Sequence, residues 1–216
     1  MIHTLSKTIF IIEKFMNFLK VIFELTKFRL SLLVSFSAIV GFILASDNFN
    51  FIDLFVLGLS GYLITASSVI NNQILEKDLD KKMDRTKKRP LPTNRISYKN
   101  SLITSVLFML SGLLFMFLYF NVTAAILGLI SLLLYTFAYT PLKRVGPIAV
   151  FIGAIPGALP PLIGWVVAAG SPTTYGLILF GILFAWQLPH FMAIAWNHRK
   201  DYSKGGFKFH HLNDPL

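Results

Sequence analysis

The sequence predicts an all-α fold, a polytopic transmembrane helical bundle, and three observations carry that prediction. Hydrophobic residues make up 55% of the 216 positions and charged residues only 14%, more apolar surface than one small soluble domain can bury. Six predominantly apolar stretches, at about Leu30 to Ser46, Phe51 to Leu75, Ser101 to Tyr119, Val122 to Tyr139, Pro147 to Gly170 and Thr174 to Trp196, each approach the length a helix needs to cross a bilayer. All 20 lysines and arginines fall on one side of those six spans.

The first 29 residues scatter Lys7, Lys14, Lys20, Lys27 and Arg29 among apolar positions and lack the small-residue cleavage site of a signal peptide. They read as an amphipathic helix on the membrane surface. The chain 1–216 is therefore expected to be a single membrane domain with 1–29 as a basic N-terminal arm. Nine basic residues lie between Lys77 and Lys99, two at Lys143 and Arg144, and four from Arg199 onward, whereas the loops near Asp47 to Asn50, Asn121 and Ser171 to Thr173 carry none. By the positive-inside rule, the N-terminus and the loops after spans 2, 4 and 6 are cytoplasmic. A net charge of +10 raises nucleic acid as a partner, but basic residues that set topology and meet anionic lipid account for it, so membrane lipid and no nucleic acid is the expectation. The absence of cysteine excludes disulfides, thiolate metal sites and cysteine nucleophiles.

The loop after span 2 orders its charges. Continued as a helix to about Arg85, it would align Asn72, Glu76, Asp80 and Asp84 in one stripe, with Lys77, Lys81 and Arg85 in the next. The acid pairs Glu76–Asp80 and Asp80–Asp84 then repel by roughly 0.2–0.5 kcal/mol each. Lys77 to Asp80 and Lys81 to Asp84 at i,i+3, and Asp78 to Lys82 at i,i+4, give partial relief. A divalent cation would remove the rest, since Mg2+ characteristically joins one or two carboxylates to substrate phosphates. Arg85, Lys87, Lys88 and Arg89 stand next to it to take phosphate charge. On spacing alone this metal-diphosphate reading stands beside a plainer one, a charged loop that only sets topology. Pro90 and Pro92 end any helix there. Asn71 suits a hydrogen bond between helices, and Asn72, in line with the acids, suits a ligand.

The loops after spans 4 and 6 share that face. His190 follows Pro189 inside an apolar run, where an ionisable side chain is costly. It is a candidate metal or heme ligand, proton carrier or buried hydrogen-bond partner, the last being commonest. Asp201, eleven residues on, would share its helix face if the helix continued. Span 5 carries Gly153, Pro156, Gly157, Pro160, Pro161 and Gly164, which predicts a kinked helix approached closely by its neighbours or by a large ligand.

Taken together, Asn72-x-x-x-Glu76-x-x-x-Asp80 followed by Arg85-Thr86-Lys87-Lys88-Arg89-Pro90-Leu91-Pro92 resembles the first acidic motif of the UbiA-type intramembrane prenyltransferases. Tyr139-Thr140-Pro141-Leu142-Lys143-Arg144, the run Gly153 to Trp165, Trp186-Gln187-Leu188-Pro189-His190-Phe191 and Asp201-Tyr202 are similar to the branch that farnesylates protoheme IX, the heme O synthases. The resemblance runs from about Leu25 to Lys208. It implies transfer of the farnesyl group of farnesyl diphosphate to a vinyl group of heme b, with water supplying a hydroxyl and diphosphate leaving. It implies Mg2+ on Asn72, Glu76 and Asp80, with these three, Lys143, Arg144 and Asp201 as the catalytic set. Arg29, Arg85, Lys88, Arg89, Tyr139 and His190 would then bind substrate. The same resemblance suggests the bacterial cytoplasmic (inner) membrane, with heme A synthase or oxidase assembly factors as candidate partners.

The pattern departs from this sequence in three places. Lys27-Phe28-Arg29 lacks a proline between its cations, Asp84 stands where a basic residue is usual, and six spans stand where the family has about nine. The chain is thus expected to be C-terminally shortened, with a tail, Phe209 to Leu216, unlike the usual continuation. Two rival functions differ in what they require. An aromatic-acid polyprenyltransferase of quinone synthesis would favour aspartate where this chain has Glu76 and an acid where it has His190. A non-catalytic membrane protein handling heme or lipid would have no use for aligned acids.

Overall fold

The computed structural model describes residues 2–48 and 50–208, with side chains from residue 12 onward. Lys7 and the tail Phe209 to Leu216 lie outside those side chains. Among the described residues all regular structure is helical. Six segments are long and apolar enough to cross a membrane, in agreement with the predicted spans to within a few residues at their ends. Helix α1 (Ile2–Leu25) is the arm, and α2 (Phe28–Ala45) and α3 (Phe51–Leu75) are the first two spans. A four-residue helix α4 (Lys77–Asp80) follows, and then a long run of turns. The third span is α5 (Tyr98–Phe115), which closes in a π-helical turn, Met116–Phe120. The fourth is α6 (Val122–Leu133), continued by a π-helical segment, Leu134–Tyr139, and the single turn α7 (Thr140–Leu142). Helices α8 (Ile148–Ala169) and α9 (Thr174–Asn197) complete the spans, and α10 (Arg199–Gly205) folds back beneath them.

Local chemistry sets the boundaries. Asn50, Ser97 and Asn121 each accept backbone N–H groups of the first turn they precede, which starts α3, α5 and α6 at their polar flanks. Gly170 and Gly206 adopt positive φ and end α8 and α10.

The bundle is built around α8. Two-thirds of its apolar window is buried (67%), against none for α9 and 22–39% for the other spans. The glycines and prolines of α8 serve this central position. Gly164 faces the backbone of Ala38, and Gly41 of α2 faces the backbone of Pro161, so that a Cβ at either would overlap a carbonyl. Gly153 lies under the Tyr139 ring and Gly157 against Gln187. Neighbouring helices and side chains thus take the space at these glycines. Outward residues are apolar, including Leu33, Phe51, Phe55, Leu118 and Ile182, all more than 60% exposed, which is the inside-out pattern a lipid solvent requires. Between helices, Ser67 and Ser105 share a hydrogen bond of 3.0 Å, and the Ser105 hydroxyl lies 2.7 Å from Asn71 Oδ1, the interhelical role expected of Asn71.

Candidate active site

One polar cavity, about 150 Å³, opens where α2, α3, the π-helical segment and α9 end and the loops after spans 2, 4 and 6 meet. That is well below the roughly 300–1,000 Å³ of a whole-ligand pocket, so it suits a headgroup. Lys27, Asn72, Glu76, Asp80, Arg85, Thr86, Arg89 and Lys143 line its polar side, and Tyr135, Tyr139, Phe191, Ile194, Ala195, Tyr202 and Phe207 its aromatic and apolar side. Four cations face two carboxylates, which leaves an excess of positive charge in a recess whose acids are buried.

The predicted continuous helix from Asn72 to Arg85 is not what forms. Helix α3 stops at Leu75, Glu76 leaves helical geometry (φ −103°, ψ 7°), and only α4 precedes the turns. Where the stripe breaks, each buried acid takes a cation from beyond the next turn, Asp80 from Arg89 nine residues on in the same loop and Glu76 from Lys143 in the loop after span 4. Arg89 Nη1 donates to both Asp80 oxygens at 2.9 and 2.7 Å, and Lys143 Nζ lies 2.5 Å from Glu76 Oε1. Asn72, Glu76 and Asp80 nevertheless converge on the cavity, all but fully buried. Asn72 Nδ2 donates to Thr140 Oγ1 at 3.3 Å. Asp84 leaves the group: it is exposed and paired with Lys87 and Lys204, both at 2.5 Å, which hold its carboxyl down at about 2. The expected Asp78–Lys82 pair is replaced by Asp78–Lys81 at 3.1 Å. Burial raises the Asp80 carboxyl, against the opposing pull of Arg89. Burial likewise lowers the Lys143 ammonium, which Glu76 partly offsets.

Several expected site residues stand elsewhere. Arg29 is exposed on α2, and Lys27 occupies the cavity in its stead, two residues earlier and therefore on another face. Lys88 is exposed, and its backbone oxygen accepts from Arg95 at 2.7 Å. Arg144 points out and donates to the Leu75 carbonyl at 3.3 Å, capping α3. His190 faces outward on α9, stacked on Trp186 with centroids 4.6 Å apart, while the next residue, Phe191, turns inward. His190 and Asp201 do not share a helix face, because α9 breaks at His198 (φ −109°, ψ 15°). Asp201 instead accepts the backbone N–H groups of Asp84 (3.1 Å) and Arg85 (2.9 Å), which depress its carboxyl. It holds the loop that carries Arg85. Arg85 donates to the Tyr202 hydroxyl at 3.3 Å and lies 5.5 Å from that ring's centre, at the cavity wall.

Sequence reasoning did not pick out Lys27, Tyr135 and Phe207 as site residues. Lys27 adopts a left-handed backbone (φ 45°, ψ 57°), uncommon without a glycine. Burial, then the charges of Arg89 and Lys143, bring its ammonium down to about 7. Its visible signal was the pair of cations, Lys27 and Arg29, at the mouth of span 1. Tyr135 is aimed by the π-helical segment, where the Thr140 hydroxyl donates to the Tyr135 carbonyl at 2.8 Å across five residues. Phe207 reaches the cavity because Gly206 (φ 74°) turns the chain back and Lys208 N–H bonds the Lys143 carbonyl at 2.9 Å. Lys143 Nζ lies 5.0 and 5.4 Å from the Tyr139 and Phe207 ring centres.

The donor set fits Mg2+. Among the described residues no three acids or histidines gather to enclose an ion by themselves. Two carboxylates beside an amide, close to phosphate-binding cations, are the partial shell Mg2+ accepts when phosphate completes it. Glu76 Oε1 is buried, near enough to Lys143 for an ion pair, yet accepts no aligned hydrogen bond.

The sequence profile of the UbiA prenyltransferase family matches residues 34–210, which takes in both acidic segments and all six spans but the start of the first. The chain belongs to this family. A protoheme IX farnesyltransferase of Cytophaga hutchinsonii is 48% identical over 187 residues, covering 86% of this chain and 65% of the relative. A mitochondrial protoheme IX farnesyltransferase of Arabidopsis thaliana is 41% identical over 194 residues, covering 89% and 45%. The chain thus spans less than two-thirds of the length of these relatives. In fold, it is similar to a UbiA homologue of Archaeoglobus fulgidus bound to DMAPP and Mg2+, with a TM-score of 0.70 at 18% identity, covering 87% of this chain and 67% of that one. A structure described for digeranylgeranylglyceryl phosphate synthase superposes with a TM-score of 0.75 at 21% identity, covering 88% and 67%.

Proposed function

We propose that this UbiA-family chain carries the diphosphate-binding core of a protoheme IX farnesyltransferase, which transfers the farnesyl group of farnesyl diphosphate to a vinyl carbon of heme b. The observation that carries the proposal is the convergence of Asn72, Glu76, Asp80, Lys27, Arg85, Arg89 and Lys143 on one headgroup-sized cavity with an aromatic inner wall. The relatives' shared name supports heme as the acceptor. The cytoplasmic side of a bacterial inner membrane is the setting we infer, from the one-sided basic loops.

The chemistry required is heterolysis of an allylic C–O bond. The bonding pair leaves with diphosphate, the heme vinyl π electrons attack the farnesyl carbon, and water adds to the resulting benzylic-type cation with loss of a proton. Asn72, Glu76 and Asp80 would hold Mg2+, which supplies neutralisation of the leaving oxygens. Lys27, Arg85, Arg89 and Lys143 stabilise the departing anion from fixed positions. Tyr135, Tyr139 and Phe191 face the apolar side, where their rings exclude water from the allylic cation and offer it negative π faces. Asp201 positions Arg85 through the loop backbone.

Membranes containing the protein, incubated with labelled farnesyl diphosphate and either heme b or 4-hydroxybenzoate, test this reading. Farnesylated heme supports it, and label in the benzoate alone rejects it. Asp80→Asn should abolish Mg2+-dependent transfer while the amount of folded protein in the membrane changes little. Undiminished turnover in that variant would remove the metal assignment.

A further inference from the structure

The cavity's two carboxylates already hold two of its four cations. Asp80 is fully buried and takes both its bonds from a single guanidinium nitrogen of Arg89, while Glu76 faces Lys143 at 2.5 Å. Arg85 and Lys27 pair with neither acid among the described ion pairs. A metal ion cannot use Asp80 or Glu76 fully while a cation sits against the same oxygens. A diphosphate equally finds Arg89 and Lys143 engaged.

The geometry points to a partner-exchange latch: Mg2+ takes the carboxylates of Asp80 and Glu76 only as diphosphate takes Arg89 and Lys143, so that each ligand raises the other's affinity. The inference rests on the metal-diphosphate reading given above. Its physical basis is that separating a buried ion pair strands a charge on each side. Metal alone strands two cations among Lys27 and Arg85, and diphosphate alone strands two carboxylates in a recess with little water. Both ligands together replace every lost pairing. Lys27 and Arg85, not committed to either acid, are the cations an incoming diphosphate meets first. Mutual dependence of this kind is reciprocal by linkage, and it keeps free metal or free inorganic phosphate from holding the site.

The test reads binding, not turnover, on the whole purified chain in detergent, with Mn2+ as the metal probe, followed by the resonance of its free hexa-aqua ion, and inorganic pyrophosphate as the anion. After correction for the Mn2+–pyrophosphate complex formed in solution, each should tighten the other in the unmodified protein by about fivefold or more. Arg89→Gln frees Asp80, so it should strengthen Mn2+ binding without pyrophosphate by a similar factor while weakening pyrophosphate. Lys143→Gln should do the same through Glu76. Lys88→Gln, which removes a neighbouring exposed charge, should change Mn2+ affinity less than about twofold. Independent binding in the unmodified protein, or unchanged or weaker Mn2+ binding in both folded variants, overturns the latch and leaves the transferase reading standing. Failure of pyrophosphate to bind under any condition overturns both.

Discussion

Lys27 shows how much of the site depends on single residues in unusual surroundings. Its left-handed backbone turns the side chain away from lipid and into a recess shared with Arg89 and Lys143. Because its proton is held less tightly folded than unfolded, this residue makes stability rise with pH between about 7 and its ordinary value near 10.5. Amine-directed acylation followed by mass spectrometry should therefore show Lys27 reactivity passing its midpoint near pH 7 and levelling off well below 10.5, with pyrophosphate and Mg2+ protecting it. Reactivity still climbing log-linearly at pH 9 would contradict that environment. Asp201 has the opposite sign. Its carboxyl is depressed by two backbone donors, so the bond it contributes is present above an ordinary aspartate value and lost as pH falls through the lowered one. Thermal unfolding followed from pH 6 downward should show Asp201→Asn costing most stability at pH 6, with the cost shrinking once pH falls below the ordinary aspartate value. A fall in kcat together with a raised diphosphate KM should accompany it if Arg85 is what it positions.

At the scale of elements, α8 and the π-helical segment do the positioning. Helix α8 runs unbroken from Ile148 to Ala169 through Pro156, Pro160 and Pro161, and its neighbours approach it closely at its glycines. Gly41→Ala and Gly164→Ala each place a methyl group against backbone, which has no rotamer by which to yield. Each is expected to cost about 1–3 kcal/mol, the usual range for overpacking. Reversible unfolding in mixed micelles would measure it, with Gly181→Ala, a position open on the outer face of α9, expected to be neutral. The segment Leu134–Tyr139 shifts the register of its last turn, which points Tyr135 and Tyr139 at the cavity while Thr140 closes the widened ring.

For the whole molecule, the decisive feature is that polar chemistry gathers at one end of a bundle whose flanks are apolar. The central α8 and the outer helices, with their apolar exposed faces, give a helical scaffold suited to lipid, and side chains of neighbouring helices donate to the Pro156 and Gly157 carbonyls of α8. Among the described residues, charge concentrates where the loops after spans 2, 4 and 6 meet. Orientation is directly measurable, since the chain has no cysteine of its own. Single cysteines introduced at Lys87 or Lys200 should react with a membrane-impermeant maleimide only from the cytoplasmic side, and one at Ser171 only from the other. The reverse pattern would refute the topology.

Hydropathy and charge order by themselves determined the number of spans, their ends to within a few residues, the common side of the basic loops and the grouping of Asn72, Glu76 and Asp80. These follow from what lipid requires of a backbone and from where lysine can reside, both local properties. Helical phase was a poorer guide. It extends α3 through Glu76, keeps Asp84 with the buried acids, and places His190 with Asp201, whereas Arg29 and Arg144 rest on their position in motifs and Lys88 on its nearness to the acids along the chain. Only the tertiary structure decided which cation meets which carboxylate, that Lys27 enters the cavity, and that Asp201 grips a loop more than a hundred residues away. Those choices depend on where separate helices end relative to one another. A buried charge selects its partner by desolvation and distance in space, and spacing along the chain carries no record of that.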